Sequence, residues 1–330
     1  MLQYMRRRVV MMIPTLIAIS IVSFIIIQLP PGDFLTSFVA NLEAQGEGVD
    51  EQTIAALQKR YGLGQPIYVQ YGKWVWGMLH GDFGQSFRWG APVSELIWGR
   101  LGLTVLVSST TLVLTWLISF PVGVYSAVKQ YSVGDYFFTT VGFLGVAIPN
   151  FLMALVLMVL TYVYLGQSVG GLFSPEYVEA PWTWARVVDL LNHMWIPLIV
   201  LGTSGTASLI RIMRANLLDE LEKPYVVTAR AKGQSEFKLL MRYPVRAALN
   251  PFVSTVGWSL AQLVSGSTIT AVVLNLPMTG PLMLQALVAQ DMYLAGSFIL
   301  MLSVLTVIGT LFSDILLAWL DPRIRLSLRG

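Results

Sequence analysis

The chain has 330 residues, 55% of them apolar and only 12% charged, roughly half the charged fraction usual in a soluble globular protein, so much of it must sit in lipid. Cysteine is absent, which excludes disulfides, thiolate metal sites and cysteine nucleophiles. The net charge of +3 is distributed in a way that follows membrane topology rather than a nucleic-acid partner.

Crossing a hydrocarbon layer about 30 Å thick takes about 20 mostly apolar residues in a helix, and six stretches meet that need. The first, residues 9–29, follows Arg6, Arg7 and Arg8 and stops at Pro30, Pro31 and Gly32, which do not readily continue a helix. It is longer than the apolar core of a secretory signal and no small-residue cleavage site follows, so residues 1–29 read as an inner N-terminus and an uncleaved first span. Residues 30–100 are too polar for the membrane and too long for a turn, and are expected to fold on the outer, periplasmic surface. Within them Asp50 suits the N-cap of a helix carrying Ile54, Leu57 and Tyr61 with Gly62 as its stop, and Pro66 can open a second helix displaying Trp74, Val75 and Met78. That second helix suits equally the headgroup zone and the packed side of a small outer subdomain.

The other five stretches are residues 101–128, 137–165, 195–213, 252–274 and 294–320, which make 101–320 the core, followed by a short tail at 321–330. Several exceed the minimum length, which permits tilt. With the N-terminus inside, the inner segments hold Arg6, Arg7, Arg8, Lys129, the basic residues of the 211–246 region and the C-terminal arginines. Only Lys59, Arg60, Lys73, Arg88, Arg100 and Arg186 fall outside. The positive-inside rule then gives an even number of spans with both termini cytoplasmic. The expected fold is an all-α integral membrane protein with six transmembrane helices.

The inner loop at 214–250 carries the most information. A short helix over 224–232 is expected to stop at Gly233, because glycine readily takes the left-handed conformation that ends helices. A second would run through Phe237, Leu239 and Leu240 towards Pro244. Two short helices joined by a glycine make a knob able to enter a groove on a partner. By charge alone this is an ordinary basic inner loop; the order of its residues says more. Tyr225, Thr228, Ala229, Arg230, Ala231, Lys232 and Gly233, closed by Asn250-Pro251, resemble the coupling loop of binding-protein-dependent ABC importer permeases of the oligopeptide/dipeptide family. The resemblance extends over nearly the whole chain: Pro14-Thr15 and Pro31-Gly32-Asp33 near the start, Tyr61-Gly62-Leu63 with Gln65-Pro66, Gln70-Tyr71, and Gly81-Asp82-Phe83-Gly84 with Ser86. Further on come Pro121-Val122-Gly123, Ile148-Pro149-Asn150-Phe151 and Asp321-Pro322-Arg323.

The resemblance implies a type I ABC importer permease in which the glycine-interrupted loop docks onto an ATPase subunit. It implies a second homologous permease, two ATPase subunits that bind ATP and Mg, a periplasmic solute-binding protein, membrane lipid around the spans, no nucleic acid, and no cofactor or catalysis in this chain. Two departures stand out. Tyr243-Pro244 replaces a common His-Ala pair. Where the family commonly has a Glu followed by Pro-Gly-Leu-Gly, this chain has Ala271 and then Pro277-Met278-Thr279-Gly280, which leaves oligosaccharides and other uncharged solutes as competitors to peptides. Substrate-contacting residues are not specified by the sequence.

Other chemistry is missing. No G-x-x-x-x-G-K-[ST] phosphate loop occurs, so the chain cannot hydrolyse ATP itself. Neither His-Glu-x-x-His nor a Gly-x-Ser-x-Gly elbow is present, and Gly202-Thr203-Ser204-Gly205 lacks the spacing of the latter. His80 and His193 are too far apart in sequence to imply a metal pair, and His193 beside Trp195 reads as an interfacial residue. Asp314, the clearest ionisable group in a span, would signal function by default, but its place near Asp321 favours a paired or solvated structural role. An ion-coupled secondary transporter, the main alternative, would bury several such groups along a pathway, and an intramembrane hydrolase would need a nucleophile and base that are not found.

Overall fold

Among the described residues of the computed structural model (2–28, 64–86, 88–166, 170–255, 259, 262 and 267–320), four helices are long and apolar enough to cross a bilayer. They are α1 (Leu2–Gln28), α3 (Val93–Val128), α6 (Trp184–Leu221) and α12 (Met292–Leu320). Between them lie α2 (Ile67–Leu79), α4 (Val133–Ala147), α5 (Asn150–Leu165), α7 (Pro224–Ala231), α8 (Glu236–Arg242), α9 (Pro244–Ser254), α10 (Thr268–Val273) and α11 (Thr279–Val288). No strand forms among the described residues; extended backbone pairs at an isolated Gln85–Pro92 bridge.

Several helices outrun their apolar stretches. Helix α3 begins at Val93 rather than near residue 101, and α6 runs from Trp184 to Leu221 rather than over 195–213. Its 38 residues rise about 57 Å, far more than the hydrocarbon layer requires, so polar ends continue the helix into water. Thr183 caps its start by accepting the Arg186 N–H. The stretch 137–165 is corrected more substantially. It is two helices, α4 and α5, meeting at 101°, because Pro149 disfavours the helical conformation at the residue before it and Ile148 accordingly sits at ψ 120°. The expected span 252–274 takes in the end of α9 and all of α10, with most of its middle outside the described residues, as is the expected helix after Asp50.

Contacts divide the chain into two compact units, one within 1–8, 104–277 and 306–330, the other within 9–103 and 278–305. In the first, α6 packs against α4, α5 and α9. The α4–α6 seam closes through small residues: a Cβ at Gly145 would lie 2.6 Å from Thr203 Cγ2, and one at Gly142 would touch Ala207, the kind of close approach that drives helix association where lipid removes the hydrophobic incentive. Against α9, Leu209, Met213 and Leu217 bury with Val245, Ala248 and Phe252, and Trp116 sets its edge on Phe252 at 4.8 Å.

In the second unit, α2 is a packed helix. Trp74 lies 5.5 Å from Phe24, Tyr71 shares a 2.8 Å hydrogen bond with Ser20, and Val75 and Met78 lean on the same core, while Tyr68, Trp76 and Leu79 stay exposed. The Gly81–Ser86 motif has a structural purpose. Gly84 takes φ +90°, and its N–H donates to Asp82 Oδ1 at 3.0 Å, which turns the chain so that Ser86 Oγ donates to the buried Asp291 at 2.5 Å. Asp291 also caps α12 by accepting the Leu294 N–H. Ser86→Ala removes a charge-assisted bond to a buried carboxylate and is expected to cost about 1.5–3 kcal/mol, read as a lowered thermal midpoint of the detergent-solubilised protein; an unchanged midpoint would contradict this anchor.

Candidate functional site

Helical periodicity puts Leu201, Ser204, Gly205, Ser208 and Ile212 on one face of α6. With Leu112 and Thr115 of α3, Asn150 at the start of α5, and Ser259, Gln262 and Ser267, this face surrounds a cavity of about 270 Å³. None of these lining residues is ionisable. The wall offers hydroxyls, carboxamides and aliphatic surface, and Ser208 steadies itself by donating to the Ser204 carbonyl at 2.9 Å. The opposite side of α6 differs: Ile199, Thr203, Ala207 and Ile210 join Phe137, Phe138 and Val141 of α4 around an apolar groove of about 340 Å³. Helix α6 thus separates a neutral polar hollow from an apolar one. In the sequence Ser204 and Gly205 belong to a run without the spacing of a nucleophile elbow; the signal for this face is the helical spacing of small polar residues that continues to Ser208.

The loop singled out by sequence folds as two short helices. Pro224 opens α7, a position where its missing N–H costs nothing. The helix ends at Ala231 with Lys232 as its cap, one residue before the expected end, and Gly233 follows at φ +76° with open space where a side chain would be. Ala229 buries with Val226 and Leu239 against Tyr243. Tyr225, Thr228, Arg230, Ala231, Lys232 and Gly233 are exposed, as are Val227 and, most of all, Phe237 at 76%. Thr228 Oγ1 returns to the Pro224 carbonyl at 2.9 Å. Arg230 crosses the glycine to Glu236, with Nε at 2.6 Å and a terminal nitrogen at 3.2 Å. The Tyr243-Pro244 departure fixes the course of the second helix: α8 stops at Arg242, and Pro244 starts α9.

Two interactions set the electrostatics of this knob. The hydrogen bond from Arg230 holds the Glu236 carboxyl below the ordinary value of 4.5. A depressed carboxylate favours the folded loop above that value, and the contribution disappears as pH falls through the folded one, so the pair stays ionised across the neutral range. Tyr225 donates to the Glu220 carboxylate at the end of α6; partial burial and then this bond push its hydroxyl above the ordinary phenol range. The tie fastens α7 to the helix whose face lines the cavity.

The remaining sequence candidates are structural. Asp314 pairs with Arg8 at 3.1 Å. His193 Nδ1 lies 2.8 Å from the Asp189 carbonyl, and Asp189 itself accepts from the backbone and hydroxyl of Ser174.

An all-helical, multiply spanning chain with a neutral cavity and a protruding helix pair has the form of an integral membrane permease. The family described as "Binding-protein-dependent transport system inner membrane component" matches residues 119–326, and the corresponding N-terminal family matches residues 1–108. The chain belongs to this family of bacterial inner-membrane ABC importer permeases, in its oligopeptide/dipeptide branch. It is similar to the oligopeptide transport system permease protein AppB of Bacillus subtilis, 38% identical with 98% of this chain and 99% of that protein covered. It is also similar to the peptidoglycan transport system permease protein YejB of Agrobacterium fabrum, 29% identical with 97% of each covered.

Removing the Tyr225 hydroxyl tests the tie between α7 and α6. Tyr225→Phe is expected to speed amide exchange in residues 224–231 about two- to fivefold, followed by hydrogen–deuterium exchange mass spectrometry. Unaltered exchange there would mean that the bond contributes nothing to the knob.

Proposed function

We propose that this chain is a non-catalytic, pore-forming subunit of an ATP-driven importer, with six transmembrane helices, both termini cytoplasmic, residues 30–100 on the periplasmic side and 101–320 as the transport core. It works beside a second homologous permease. Two separate ATPase subunits bind ATP and Mg and hydrolyse the nucleotide, and a periplasmic binding protein delivers the solute. The α7–α8 knob, through Tyr225, Thr228, Ala229, Arg230, Ala231, Lys232 and Gly233, docks on an ATPase subunit. ATP-driven movement there shifts the population between inward-facing and outward-facing arrangements.

The observation that carries this reading is a continuous mechanical connection. The knob presents exposed Val227, Phe237 and cationic side chains outward, is tied inward to α6 by Tyr225, and α6 forms one wall of the cavity. A push on the knob moves that wall. The cargo is oligopeptide-like or dipeptide-like, in keeping with the names of the relatives, or oligosaccharide-like. A wall of hydroxyls and carboxamides meets the backbone amides of the one or the hydroxyls of the other, and Ala271, where a carboxylate is common in the family, is buried and neutral.

Gly233→Val in the assembled transporter tests the docking element. A β-branched residue forced to φ +76° carries about 1–2 kcal/mol of strain, and binding-protein-stimulated ATPase activity and uptake are expected to fall about five- to thirtyfold. Normal stimulation and uptake would overturn the docking assignment, and uptake driven by an ion gradient without ATP would replace the importer with a secondary transporter.

A further inference from the structure

Asp135 is 3% exposed on a chain with little charge to spare, and burying a carboxylate is costly unless it is paired and fully hydrogen-bonded. Here it is. Arg214 of α6 grips it with two nitrogens, Nε at 3.1 Å and a terminal nitrogen at 2.9 Å, the planar fork that arginine supplies and lysine does not. Asp135 also accepts the Tyr131 N–H at 3.0 Å, which holds Tyr131 at φ +62° in the turn between α3 and α4, and a hydroxyl from Thr139. Further along the same antiparallel seam Arg211 lies over the Phe143 ring, and Gly142 and Gly145 admit Ala207 and Thr203 at close range.

The position of this pair gives it a role. Arg214 sits on α6 between the cavity-lining stretch and the Tyr225 tie. Helix α4, which carries Asp135 in its first turn, leads through the Pro149 break to Asn150, which lines the same cavity as α6. An α6 displaced alone would move one wall; an α6 locked to α4 carries the broken helix, and Asn150, with it. We infer that Asp135 and Arg214 are positioning residues whose ion pair makes α4 follow α6, so that a displacement of α7 and α8 reaches the Asn150 part of the cavity wall as well as the α6 part. The inference rests on the docking reading above.

The test uses the complete transporter in proteoliposomes, with spin labels on the exposed Val133 of α4 and Asp219 of α6. Their separation is measured nucleotide-free and after trapping with ADP and vanadate, in parallel with binding-protein-stimulated ATPase activity. In the unaltered pair the separation is expected to be the same in both states. Asp135→Asn and Arg214→Gln are expected to let it change on trapping and to reduce stimulation about fivefold or more, and the exchanged pair Asp135→Arg with Arg214→Asp to restore both. A separation that changes on trapping even with the native pair would overturn the proposal, and this arm leaves the ion pair unaltered. It would equally be overturned if Asp135→Asn assembled with fixed separation and full stimulation, or if the variants lowered only the yield of complex. Normal stimulation in Asp135→Asn beside impaired Gly233→Val removes the strut alone, whereas normal coupling in Gly233→Val removes the docking reading beneath it.

Discussion

Helix α6 is the constraint on which its unit depends. Lipid offers no partner for a backbone amide or carbonyl, so a crossing segment must satisfy its own, and α6 stays helical over 38 residues although Pro197 removes one bond of the ladder and a run of serine, threonine and glycine follows. The polar side chains fold back on the same ladder: Thr203 bonds the Ile199 carbonyl, Ser208 that of Ser204, and Asn216 that of Ile212. This lets a helix carry hydroxyls at membrane depth without orphaning them, and gives one rod a hydrophilic face, an apolar face and a C-terminal end that leaves the bilayer. The packing of α4, α5 and α9 around it follows from which face each can cover.

Close packing of α4 on α6 comes from removing side chains rather than from adding apolar ones. Where aliphatic chains are already solvated by lipid tails, a larger residue gains little by turning inward, whereas Gly142 and Gly145 let α4 lie directly against Ala207 and Thr203. In the other unit the older logic of a soluble core returns: Phe24, Trp74, Ile97, Tyr293 and Phe298 bury together, and a buried carboxylate, Asp291, joins two segments that are distant in sequence.

Much of the architecture was legible because its causes are local. Composition alone located α1, α3, α6 and α12, and Pro224 and Gly233 marked the limits of α7 to within a residue. Helix ends were misread where hydropathy and helicity part company, since α3 and α6 go on after their apolar stretches stop. The elbow at Pro149 was written in Ile148-Pro149-Asn150-Phe151, yet the flanking apolar residues on both sides masked it. The cavity could not be read at all: that Ser204 and Ser208 line one hollow with Asn150 and Gln262, while Thr203 faces α4, depends on neighbours that only the folded chain supplies. The same holds for Ser86 with Asp291 and for Asp135 with Arg214, whose partners are set by tertiary contact rather than by spacing.

The elbow between α4 and α5 also says something about the surroundings of the protein. Neither arm, at 15 and 16 residues, rises more than about 24 Å, so neither crosses the oily layer alone; the pair is a broken span or a re-entrant turn, and Pro149 interrupts the regular ladder there. Irregular main chain at that depth survives where water or other protein covers it and not against acyl tails. Ile148 and Pro149 at the elbow are exposed in this chain, so wherever the elbow sits at that depth it calls for a cover other than acyl tails.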